Sequence, residues 1–90
     1  MARYSENTLR ERAKRIDYYV TKGYQKYIFE AWGFVRDENG DKIVGYDLIR
    51  PNGYSIDVPY ESTLCHDHTL TLDELESYLK MLYEDRGLPW

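Results

Sequence analysis

The sequence predicts an α+β domain of order α-β-β-β-α, a three-stranded antiparallel meander with two helices packed on one of its faces. Three observations carry this expectation. Two capping-box tetrapeptides each open an apolar stripe of helical period, and between them lies a β-branched and aromatic stretch cut by two turn signals. With 90 residues and 42% apolar content the chain suits a single domain over residues 1–90, which excludes a two-lobed enzyme and an ordinary disordered tail.

The first helix is expected over about residues 8–22. In Thr8-Leu9-Arg10-Glu11 the Thr8 hydroxyl can accept from the Glu11 N–H while the Glu11 carboxylate accepts from the Thr8 N–H. Leu9, Ala13, Ile16 and Val20 then recur at spacings of four, three and four, one stripe of a helix. Gly23 follows as a stop, since glycine takes the left-handed C′ geometry without steric cost.

The strands are expected within residues 24–60, divided by Glu38-Asn39-Gly40 and Pro51-Asn52-Gly53. A three-residue loop over Pro51-Asn52-Gly53 sets Arg50 opposite Tyr54. Val44, Tyr46 and Leu48 then share a face with Ile56, Val58 and Tyr60. The same kind of loop over Glu38-Asn39-Gly40 adds Trp32 and Phe34 to that face, whereas a two-residue Asn39-Gly40 turn adds Ala31, Gly33 and Val35; the first gives the core its largest side chains. The last helix is expected over about residues 72–86. Thr71-Leu72-Asp73-Glu74 is its capping box, Leu70 and Leu75 form a staple, Leu72, Leu75, Leu79 and Leu82 make its stripe, and Gly87 with Pro89 ends it.

Charge divides the chain unequally. Residues 1–36 hold eight basic and four acidic residues, residues 37–90 four basic and twelve acidic, within a net charge of −4. Such a molecule can offer one end to phosphates or the other to a basic protein surface. Cys65 is the single cysteine, which rules out an internal disulfide framework and fits a reducing cytosol. No apolar run resembles a signal peptide or a membrane span, so the expected location is cytoplasmic.

No catalytic constellation, cofactor motif or metal set is expected. Cys65-His66-Asp67-His68 gathers ligand types, but no further Cys or His exists to complete a tetrahedral zinc site, and the segment reads as a connecting loop. Phosphate-binding glycine loops, nucleophile elbows and His-Glu-x-x-His are absent. Ten tyrosines instead point to recognition surfaces, because tyrosine supplies rigid area with a polar tip. The second side of the sheet carries Phe29, Val35, Ile43 and Ile49 with Asp47 and Asp57, after the helices have covered the first. An uncovered apolar set of this kind marks a face for a homodimer or a foreign partner. The alternative is a nucleic-acid face on the first helix, where Lys14, Arg15, Tyr18 and Lys22 interleave basic and aromatic residues.

The order α-β-β-β-α resembles that of double-stranded-RNA-binding domains, which bring lysines to phosphates at the start of their second helix; this chain has Thr71-Leu72-Asp73-Glu74 there. In texture, TLRERAKRIDYYVTKGYQKY, VRDENGDKIVGYDLI and LTLDELESYLKMLYEDRGL resemble small accessory proteins of phages and mobile elements in Firmicutes. That resemblance implies an inhibitor of host defence, anti-CRISPR proteins among them, and transfers no functional residue. The expected function is therefore a cytosolic, non-enzymatic factor that binds a host protein, with direct nucleic-acid or nucleotide binding as the alternative.

Overall fold

In the computed structural model, which describes residues 4–27, 33–56 and 65–90, two helices rest on one face of an antiparallel ladder while a later segment of the chain crosses the other. The elements are α1 (Glu6–Lys14), β1 (Tyr19–Tyr24), β2 (Lys26–Tyr27), β3 (Val44–Ile49), β4 (Cys65–Asp67) and α2 (Leu72–Asp85). The α+β class and its two helices are as expected, but the strand pairing differs from a meander over 24–60. β1 pairs with β3 in the register Val20↔Leu48, Lys22↔Tyr46, Gly23↔Gly45, and β2 pairs with β4.

The expected helix over 8–22 is corrected at both ends. Ser5 is the N-cap, its hydroxyl accepting from the Thr8 N–H at 3.3 Å, so Thr8 lies inside the helix. The helix closes long before Gly23. Asp17 takes the left-handed conformation (φ 63°), and Asp17 N–H donates to Lys14 O while Tyr18 N–H donates to Ala13 O, the paired bonds of a Schellman ending. Aspartate tolerates that conformation better than most residues, and the Tyr-Tyr-Val-Thr run beyond it favours a strand. Leu9, Ala13, Ile16 and Val20 are all buried as their spacing predicts, although Val20 arrives there from β1.

α2 follows its expected course. Thr71 and Glu74 make the reciprocal capping box, Leu75 and Leu79 are fully buried, and Gly87 (φ 66°) ends the helix. Both expected turns form as three-residue loops. Asp37 N–H donates to Asp41 O and Arg36 bridges Lys42 around the first; Arg50 N–H donates to Tyr54 O around the second, where Gly53 sits at φ 90°.

Alternation along β1 and β3 sorts their side chains between two faces. On the helix face Val20, Tyr46 and Leu48 pack with Leu9, Leu70, Leu75 and Leu79 in one core. Tyr83 ties the helices together by donating its hydroxyl to Arg12 O at 2.6 Å, and the Trp90 ring closes that end edge-on against Tyr83 and Tyr4. Glu6 Oε1 accepts from the Tyr46 hydroxyl at 2.8 Å and lies 3.2 Å from Lys22 Nζ. The Tyr46 bond leads in holding the Glu6 carboxyl below its ordinary range; burial, followed by that same bond, pushes the Tyr46 phenol up.

Candidate interaction surfaces

The outer face of the β1–β3 ladder carries the residues expected to form a partner or dimer surface. Val35, Ile43, Asp47 and Ile49 are half-buried, and Phe29 and Asp57 lie outside the described residues. The chain covers part of this face itself. From β4 it passes across the ladder to Leu70, which exchanges both backbone hydrogen bonds with Tyr46 on the far edge of β3.

His68 holds this strap down. Gly23 and Gly45 face one another in register, and the notch they leave admits it: a Cβ on Gly23 would stand 2.5 Å from His68 Cε1, and one on Gly45 would run into the His68 carbonyl oxygen. His68 N–H donates to Asp47 Oδ2 at 3.2 Å, and buried Gln25 donates from Nε2 to Thr69 O at 3.5 Å. The Asp47 carboxylate thus finds a partner inside the chain. Cys65–Asp67 is a strand and not the expected connecting loop. Among the described residues no three His, Cys, Asp or Glu side chains gather in a group that could hold a metal ion.

The expected nucleic-acid face on the first helix does not assemble. Lys14 and Arg15 are exposed at the end of α1, but Tyr18 is buried with the Arg86 guanidinium 5.4 Å from its ring centroid. Lys22 stands on β1 beside Glu6. The early stop at Asp17 is what separates them, since the four share a face only in a continuous helix. Lys14 and Tyr18 do line one cleft of about 230 Å³ with Arg10, Glu11, Tyr19 and Val20.

Two other surfaces come from residues that the sequence-based candidates omit. On α2, Asp73, Ser77, Met81 and Glu84 form an exposed stripe flanked by Glu74 and Asp85, and Met81 is 49% exposed. The one lysine of the helix, Lys80, places Nζ 3.1 Å from Glu76 Oε2. Beside the stripe a cleft of about 170 Å³ is lined by Tyr18, Arg50, Ile56, Tyr78, Met81 and Leu82.

The second lies where the helix face of the sheet runs on past the helices. Tyr24 and Val44, opposite one another in register, are 47% and 42% exposed. The Phe34 ring meets Tyr24 edge-on with centroids 6.1 Å apart. Lys42 Nζ sits 4.2 Å from the Phe34 centroid and 5.1 Å from that of Tyr24, and Lys26 Nζ 5.4 Å from Phe34. The sequence does carry a signal for this group. Lys22-x-Tyr24-x-Lys26, Phe34-x-Arg36 and Lys42-x-Val44 alternate with period two, which puts each set on one face of its strand.

Comparison with protein-family models, with curated proteins and with solved structures finds no match. Among the described residues no helix is long and apolar enough to cross a membrane.

Proposed function

We propose that this protein is a non-enzymatic interaction factor of the cytosol, of the kind phages and mobile elements direct against host defence or nucleic-acid-processing complexes, and that it docks on a basic protein surface through α2. The observation that carries this reading is the cleft, apolar apart from Arg50, at the edge of an acidic helix face. An anchor side chain of the partner enters beside Tyr78, Met81 and Leu82, where desolvation gives most of the binding energy. Asp73, Glu74, Glu84 and Asp85 form a rim that speeds encounter with a basic target and repels acidic ones. Self-association through the outer face is the weaker reading, because the strap already occupies the notch between Gly23 and Gly45.

The test is co-purification from the natural host with wild type, with Met81→Lys, and with Asp73→Lys combined with Glu84→Lys. One stoichiometric protein is expected, captured by wild type and lost with Met81→Lys while the circular dichroism of the variant is unchanged. The charge-reversed variant should slow association more than it hastens dissociation. A captured protein indifferent to all three substitutions would place the docking surface elsewhere, and a wild type that captures nothing would remove the reading.

A further inference from the structure

We infer that the exposed end of the sheet, built by Tyr24, Phe34, Lys26, Arg36, Lys42 and Val44, is a binding platform for single-stranded nucleic acid. The inference concerns a different surface from α2 and does not depend on the docking proposal.

Register supplies the argument. Tyr24 opposes Val44, Lys26 bridges Phe34, and Arg36 bridges Lys42, so each pair shares a face and the pairs adjoin. Two aromatic rings and two lysines are thereby gathered on one surface, with Arg36 at its edge donating to Gly40 O at 2.8 Å. Lys22, on the same face of β1, is offset by Glu6 from α1, and Lys26 stands opposite Asp67 of β4, so the net positive charge comes from Arg36 and Lys42. Two acids of the adjoining hairpin turn away: Asp37 Oδ1 accepts from the Asn39 and Asp41 N–H groups at its tip, and Asp41, between Lys42 and the loop, belongs to the opposite side of the strand; Glu38 is exposed within the loop. A chain that is acidic overall thus has a locally basic, aromatic face.

The placement of the lysines identifies the ligand class. Lys42 and Lys26 rest over the ring faces at 4.2–5.4 Å, the contact an ammonium makes with a π face. A base can take that place by stacking, and the displaced ammonium then reaches the adjacent phosphate on its flexible stem. Single strands satisfy both kinds of group at once. A duplex keeps its bases stacked and would use only the cations, while an acidic peptide would leave the π faces unstacked.

The experiment is fluorescence anisotropy of labelled mixed-sequence single-stranded DNA and RNA 12-mers with the full chain, with duplex and polyglutamate as competitors. Wild type should bind both single strands at low salt and weaken linearly in log–log salt, by a slope of about 0.7 per phosphate neutralised. Phe34→Ala and Tyr24→Ala should each weaken binding about tenfold with the slope nearly unchanged, since stacking carries little counterion release. Lys42→Ala should lower the slope by about 0.7. Lys14→Glu with Arg15→Glu, on α1, should weaken binding less than twofold. Three results would overturn the proposal: no binding at low salt, ring variants that bind as wild type does, or equal competition by polyglutamate, the last assigning the platform to an acidic protein. Lys42→Glu, at an exposed position, keeps the test decisive if the ring variants misfold: it should abolish binding, and unchanged binding would be a fourth result that overturns the proposal.

Discussion

The two faces of the β1–β3 ladder are closed by different physics. On the helix face, Val20, Tyr46 and Leu48 meet leucines of both helices, and closure rests on the volume of interlocking apolar side chains. On the outer face, closure comes from what is missing. Two glycines leave a notch, and a strap bearing His68 lies in it, held by Asp47 and Gln25. Apolar packing tolerates some repacking of neighbours, whereas a backbone seated against a Cα has nowhere to go.

The largest expected effect belongs to the first kind of closure. Leu48 is fully buried near the end of β3, so Leu48→Ala should cost about 2–5 kcal/mol through lost transfer energy and the cavity left behind. Its neighbour Ile49 points to the outer face and is only half-buried, and Ile49→Ala should cost roughly 1 kcal/mol. Urea titrations of the two variants measure the contrast directly. Equal losses would mean that the outer face is as densely packed as the core.

The two glycines divide the second kind of closure. At Gly45 the obstacle to a Cβ is the His68 carbonyl oxygen, a backbone atom, while at Gly23 it is the tip of the His68 ring. Gly45→Ala should therefore cost about 1–3 kcal/mol, and removing the imidazole with His68→Ala should not relieve it. Gly23→Ala should cost less, about 1 kcal/mol, and should be largely rescued in combination with His68→Ala, a coupling that a double-mutant cycle reads out. Rescue at both positions, or at neither, would show that the strap does not lie against the ladder as described.

This comparison also explains which parts of the fold are legible in the sequence. α2 is legible because Thr71, Glu74, the leucine stripe and Gly87 agree with one another within a single helix. The turns at 38–40 and 51–53 are legible for the same local reason. The end of α1 is not, because Ile16 and Val20 continue its helical spacing while Asp17 reverses the backbone between them. Val20 reaches the predicted core from an unpredicted strand. The strap is least legible, since Gly23, Gly45 and His68 come together only through tertiary structure and a glycine's contact leaves no hydrophobic pattern. The aromatic and basic group at the sheet's end is legible in part: its alternation of period two is present in the sequence, but Tyr24 to Lys26 follow a segment whose apolar spacing imitates a helix.

The smallest expected effect lies on the helix face, at the hydrogen bond from Tyr46 to Glu6. Tyr46→Phe keeps the ring and removes only the hydroxyl, so the loss near neutral pH should be about 0.5–1 kcal/mol, the low end for an intramolecular bond because the acceptor is partly exposed and keeps Lys22 beside it. Its pH dependence has a definite sign. Glu6 is held below its ordinary range in the folded chain, so its contribution is complete above roughly pH 4.3 and fades as pH falls through the lowered folded value. Tyr46 is shifted the other way, chiefly by burial, so its contribution is complete below about pH 10 and fades as pH rises through the raised folded value. The difference in stability between wild type and Tyr46→Phe should therefore be widest between these limits and narrow on both sides. Urea titrations at acid, neutral and alkaline pH measure it; a difference that stays constant into acid would mean that Tyr46 contributes through packing alone and that Lys22 and Arg10 set the Glu6 titration without it.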